Sequence, residues 1–267
     1  MKDEPRAHPF RDSQQDVTTA RQIPDTAQTR AAAYRLAFTD DAFMTREDLR
    51  PIRLQLELLK PQLMLDEAGI DSTVVLFGGA RIRRDGFGPL SAYYDEARRF
   101  ARMITERALA CGNRDWIIVT GGGPGVMEAG NRGAAEAGGR SIGLNVVLPH
   151  EQAPNPYVTP ELCFNFHYFA IRKMHFLMRA AAVVVFPGGF GTMDEMFEAL
   201  TLIQTKRMKP LPFLLFGEAY WRGVINWEAL VAHGTISAAD LALFQFVESA
   251  DQALAAIDAW ASRRGVE

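Results

Sequence analysis

The stretch "AAVVVFPGGFGTMDEMFEAL" (residues 181–200) sets an unbroken apolar run, a glycine-rich turn and a helix-like pattern in direct succession. As a strand, the run is apolar at every position, so both of its faces must be covered, as in a parallel sheet. The glycines give the backbone room at the strand's end, and the helix beyond offers unpaired N–H groups to an anion. Working outward, "TVVLFGG" (73–79), "WIIVTGGG" (116–123), "SIGLNVVLP" (141–149), "PFLLFG" (212–217) and "FQFVES" (244–249) are further short β-branched runs. Helical spacing fills 89–110, 125–138, 168–180 and 191–206. This alternation predicts an α/β fold, a doubly wound parallel sheet with helices on both faces. Ligands of such sheets sit beyond the carboxyl ends of the strands, where these glycines fall.

The chain has 267 residues, a formal charge of −3, 48% hydrophobic and 23% charged residues. A charge so near zero gives no electrostatic case for nucleic acid or an anionic membrane surface. No apolar stretch approaches the ~20 residues of a membrane span. The start, "MKDEPRAHPFRDSQQD", has no signal-peptide core, and Cys111 and Cys163 cannot form a disulfide framework. A cytoplasmic protein is the expectation. Residues 1–45 read as a flexible tail, 46–71 as a helical extension and 72–267 as one domain built on the sheet. In the extension, Leu49, Ile52, Leu56, Leu59 and Leu63 form one stripe at spacings of three and four. The stripe is expected to dock on its own domain, a subunit contact being the other reading.

A second loop, "GPGVME" (123–128), echoes "GFGTMDE" (189–195): Gly-x-Gly after a buried strand, then Val or Thr, Met and an acid. Two such loops on one sheet edge point to a phosphate-bearing ligand. The dinucleotide fingerprint fails at Val126, Glu128 and Asp194, and no Gly-Lys dipeptide exists for a Walker-type loop. The five histidines lack metal-ligand spacing, and "ELCFNFHY" around Cys163 reads as a strand. No metal is expected.

Asp194 and Glu195 stand where a phosphate would be repelled. Thr192 and Glu195 are spaced as a capping box, which would make Glu195 structural. The helix "HYFAIRKMHFLMRAA" (167–181) carries the basic residues that could compensate. Its apolar positions Ile171, Met174, Met178 and Ala181 predict the buried face, leaving Arg172, His175 and Arg179 on another. A carboxylate beside an arginine in a phosphate cleft suits chemistry a bond or two from the phosphate. Glycosidic cleavage fits, because its transition state develops positive charge.

These motifs resemble the Lonely Guy (LOG) family of cytokinin riboside 5′-monophosphate phosphoribohydrolases. "PGGFGTMDE" is similar to that family's Pro-Gly-Gly-x-Gly-Thr-x-x-Glu signature, "IRKM" to its Arg-Lys pair and "GGGPGVME" to its first glycine loop. The likeness spans roughly 72–235 and favours a longer bacterial branch. It implies a Rossmann-like fold, a homodimer or larger homo-oligomer, and hydrolysis of nucleoside 5′-monophosphates, AMP among them, without metal or cofactor. It makes Arg172 and Glu195 the catalytic pair, gives the phosphate to Gly188, Gly189, Gly191 and Thr192, and adds Phe190 to the substrate-binding residues. Glu151, Lys173 and Thr201 would complete the substrate contacts, with Gly121, Gly122, Gly123, Gly125 and Met127 in the first loop. Glu128, where plant members have a small residue, would either contact ribose or base or cap its helix. The family's older label, lysine decarboxylase, implies pyridoxal phosphate, which five lysines with only Lys173 near a motif support poorly. A nucleotide sensor or carrier of the same fold is the alternative.

Overall fold

The computed structural model describes residues 10–86, 88–148 and 153–264. The chain divides into two compact units, residues 1–56 and 57–267. The first holds the short helices α1 (Ser13–Ala20), α2 (Ala27–Arg30) and α3 (Asp41–Met44) and the opening of α4 (Arg50–Glu67). Asp12, Thr26 and Asp40 cap the three short helices through side-chain oxygens.

The second unit is a seven-stranded, all-parallel sheet in the order β4-β3-β2-β1-β5-β6-β7. Its strands are β1 (Thr73–Phe77), β2 (Ile117–Thr120), β3 (Ser141–Val146), β4 (Cys163–Phe166), β5 (Ala180–Val185), β6 (Phe213–Phe216) and β7 (Gln245–Val247). The helices are α5 (Ala92–Ala110), α6 (Val126–Glu136), α7 (Phe169–Met178), α8 (Phe190–Gln204), α9 (Glu218–Val224), α10 (Trp227–Ala232) and α11 (Ala250–Arg264). Side chains alternate across the pleat, so each central strand feeds two cores. Val75, Phe77, Val183 and Val185 pack with α8 residues such as Met196 and Ile203. Val74, Leu76, Ala182 and Val184 pack with Phe100 and Ile104 of α5 and Ala253 and Ile257 of α11. That is why the runs are apolar throughout, and it makes the fold a Rossmann-like α/β structure. The chain winds outward from β1 through β4, then returns to start again at β5 on β1's other side. A crevice opens at that switch point.

Two expected faces are reversed. On α4 the stripe Ile52, Leu56, Leu59 and Leu63 is exposed at 43–54%, and the buried residues are Pro61 and Leu65. Leu59 and Leu63, the part of the stripe within the second unit, therefore do not dock the helix on its sheet. On α7 the buried residues are Arg172, His175 and Phe176, while Met174 and Met178 are about half exposed. The cause is a surround of backbone acceptors. Arg172 Nε donates to the Leu144 carbonyl (2.6 Å), the His175 ring meets the Glu57 carbonyl (3.2 Å), and Arg179 donates to the Gln62 carbonyl (3.3 Å) and to Asp66 (2.6 Å). Buried basic groups that find partners are tolerated where unpaired ones are not.

Candidate active site

The loops after β1, β2, β3 and β5 enclose a cleft of about 260 Å³. Gly78, Gly79 and Ala80 form one wall, Gly121 and Met127 a second, Val146 and Leu148 a third, and Gly189, Gly191 and Thr192 a fourth. Phe169, Arg172, Asp194 and Glu195 complete the described lining. Two helices open on it. The N-caps are Gly125 for α6 and Gly189 for α8, and neither has a side chain to cap the first turn. At α8 the uncapped N–H groups of the first turn favour an anion, whereas at α6 the Val126 N–H is already taken by the Gly79 carbonyl (3.3 Å) and only the helix dipole contributes.

The glycines divide by what surrounds them. A Cβ on Gly189 or Gly191 would meet nothing within 4 Å, so this backbone is bare toward the cleft. At Gly125, φ is +72° and a Cβ would lie 2.4 Å from the Gly79 carbonyl oxygen, so here the residue joins two loops. Val126 N–H donates to that same oxygen (3.3 Å), and Gly79 N–H to the Pro187 carbonyl (2.9 Å). The three loops thus brace one another. A buried polar group fixes the first glycine loop from below. Asn155 Nδ2 donates to the carbonyls of Gly122 and Gly123 (both 3.0 Å) and to Asn131 Oδ1 (2.9 Å). Thr120 Oγ1 and Ser141 Oγ join through Asn131 (2.7 and 3.0 Å).

At the cleft floor Arg172 Nη1 donates to Glu195 Oε1 (3.2 Å), with side-chain exposures of only 9% and 16%. Burial is the largest influence on Glu195 and raises its pKa from the usual 4.5 to about 7; Arg172 opposes the rise and Asp194 adds to it. The capping-box reading fails. Gly189 caps α8, which puts Thr192 at the third helical position and Glu195 in the second turn. Asp194 and Glu195 therefore lie beyond the free N–H groups of the first turn, which has no acidic residue.

Of the expected residues, Gly121, Met127, Arg172, Gly189, Gly191, Thr192 and Glu195 meet in the cleft. Others stand apart from its lining. Lys173 Nζ is bridged by Asp194 (2.9 Å) and Glu198 (2.7 Å). Thr201 lines a small apolar cavity with Phe197, Trp227 and Phe244. Glu128 neither caps α6 nor enters the cleft; it accepts from the Tyr94 hydroxyl (2.8 Å). Gly122, Gly123, Gly125 and Gly188 shape the loops, with the Gly188 carbonyl held by Tyr220 Oη (2.7 Å), and Phe190 is 94% exposed. Glu151 lies outside the described residues. Sequence reasoning missed Gly78, Gly79, Leu148, Phe169 and the asparagines; "FGG" after a buried strand was the available signal for the first two.

A glycine-lined cleft at the switch point of a parallel sheet, beside the N-termini of two helices and floored by an arginine–carboxylate pair, is the arrangement of a Rossmann-like α/β fold. Residues 127–257 match the family model described as possible lysine decarboxylase, a model that takes in the LOG proteins. A probable cytokinin riboside 5′-monophosphate phosphoribohydrolase, LOGL5 of Oryza sativa subsp. japonica, is 26% identical over 130 residues. That match covers 48% of this chain and 49% of the relative, so the likeness spans about half of that curated protein. Among solved structures, the molybdenum cofactor binding protein of the phototrophic bacterium Rippkaea orientalis shares the fold, with a TM-score of 0.50 and 18% identity over 71% of this chain and 96% of that one. The Moco carrier protein of Chlamydomonas reinhardtii gives a TM-score of 0.49 and 21% identity over 72% and 99%.

The family's description implies a lysine amine to hold pyridoxal phosphate. No lysine is among the described residues lining the cleft, and Lys173 is locked between two carboxylates. The residues do not fit that group. Among the described residues no three His, Cys, Asp or Glu side chains cluster as a metal site, and no helix is long and apolar enough to cross a membrane.

Proposed function

We propose that this protein hydrolyses the N-glycosidic bond of nucleoside 5′-monophosphates, giving free base and ribose 5-phosphate. The observation that carries this reading is the buried Arg172–Glu195 pair, 3.2 Å apart, beside bare glycine backbone at an uncapped helix N-terminus. The phosphate occupies the Gly189–Thr192 turn, where N–H groups and the helix dipole receive it. Ribose C1′ then lies toward the floor. The ionised carboxylate of Glu195 stabilises the positive charge that develops as the bond to the base breaks, and it orients the attacking water. Arg172 holds that carboxylate in place and lowers the cost of its charge.

The test is base release from AMP and from isopentenyl-AMP by the parent and by Glu195→Gln. The parent should release base, and the variant should lose at least ~100-fold in rate, in line with removal of a principal electrostatic group. A variant as active as the parent would refute the role of Glu195. A second reading, a binding protein, draws on the shared fold of the molybdenum cofactor binding protein. It requires that nucleotide bind and be recovered intact.

A further inference from the structure

A phosphate of about −2 charge meets little net positive charge in this cleft. Arg172 is the cation among the described lining residues, and Asp194 and Glu195 are carboxylates. Lys173 is shared between Asp194 and Glu198, and Arg172 bonds Glu195 and the Leu144 carbonyl. Two helix N-termini add about half a charge each, which leaves a dianion short of neutrality. Another cation has to stand close by.

We infer that Arg81 is this cation, a phosphate-positioning residue at the mouth of the cleft; the inference rests on the phosphoribohydrolase reading. The backbone brings it there. Gly78, Gly79 and Ala80 line the cleft, and Ile82 N–H donates to the Gly79 carbonyl (3.3 Å), closing a turn with Ala80 and Arg81 at its corner. Ile82 is 8% exposed and anchors the turn in the core. The Ala80 carbonyl presses on the N-cap of α6, where a Cβ on Gly125 would lie 2.7 Å from it. Arg81 thus leaves the chain one residue beyond the cleft wall and beside a helix N-terminus. That step is about 3.8 Å between Cα atoms, which the arginine stem spans. Arg81 is exposed, and among the described residues it has no hydrogen bond or ion pair. Its neighbour Arg84 lies 4.0 Å from Asp95, on the side of α5. A guanidinium also grips two phosphate oxygens at once, which an N–H dipole cannot do.

The experiment is isothermal titration of the full chain with ribose 5-phosphate and, in parallel, with ribose. It compares the parent with Arg81→Ala, Arg81→Lys and Arg83→Ala, the last removing an equal charge beyond the Ile82 anchor. Arg81→Ala should weaken ribose 5-phosphate roughly 10- to 100-fold, the range for a charge-assisted bond. Ribose binding should not change, Arg81→Lys should recover part of the loss, and Arg83→Ala should stay within about twofold. An unaltered affinity in Arg81→Ala overturns the inference, as does an equal loss in Arg83→Ala or a parent that does not bind ribose 5-phosphate. Binding is read without turnover, so a parent that binds the phosphate sugar but releases no base refutes the hydrolase reading and leaves Arg81 to its own titration.

Discussion

Glu195 carries a consequence that can be read without substrate. Its folded-state pKa lies near 7 against an ordinary 4.5, because burial penalises the ionised form. The stability this group contributes is complete below about pH 4.5, where it is protonated both folded and unfolded. It is lost as pH rises to about 7, because the fold must then hold a buried charge. The shift corresponds to about 3 kcal/mol as an upper figure. Glu195→Gln, lacking the charge, should match the parent in urea melts at pH 4.5 and exceed it by up to that amount at pH 8. An equal gap at both pH values would mean that Glu195 is not buried as described. Catalysis should run the other way. Because the ionised carboxylate does the work, kcat/KM for base release should climb with pH and reach half its plateau near pH 7. A rate that falls through that range would make Glu195 a proton donor instead.

At the scale of elements, the glycine loops separate stability from binding. Gly191 sits in the first turn of α8 with open space at its Cβ position. Gly191→Ala should therefore stabilise the fold by about 0.5–1 kcal/mol while weakening ribose 5-phosphate, since the methyl enters the cleft. A variant that is more stable and binds equally well would remove the phosphate from this turn. Gly125→Ala should do the reverse, losing roughly 2 kcal/mol or more as it clashes with the Gly79 carbonyl at positive φ. The same contrast explains what was legible beforehand. The strands and the crossing helices are local patterns, carried by runs and fixed spacings, whereas the pairing of Arg172 with Glu195, 23 residues apart, came only with the family resemblance. The capping box misled because the N-cap depends on where β5 releases the chain, at Gly189 and not at Thr192. The wheel for α7 misled because hydropathy cannot see carbonyls brought from β3 and α4. Asn155 escaped for the same reason: the acceptors of its Nδ2 lie more than twenty residues away.

At the scale of the molecule, the outward stripe on α4 continues onto a neighbour. Glu57 accepts from the N–H groups of His167 and Tyr168 (2.8 and 3.0 Å) at the start of α7, and Asp66 pairs with Arg179 just past its end. The two helices so joined present Leu59, Leu63, Met174 and Met178, each about half exposed. Light scattering of the purified chain should give a dimer or larger assembly, and Leu59→Glu with Leu63→Glu should return it to monomer with its circular dichroism intact. A monomeric parent would sink this. The strand order has a different consequence, one of timing. Val75 pairs with Val119 on one side of β1 and with Val183 on the other. The second closure spans roughly a hundred residues and must be won against the entropy of that loop. Gly78 and Glu195, on opposite sides of this late seam, are strangers until it zips. Ligand competence should therefore emerge in one step at the end of folding, with no partly active intermediate on the way.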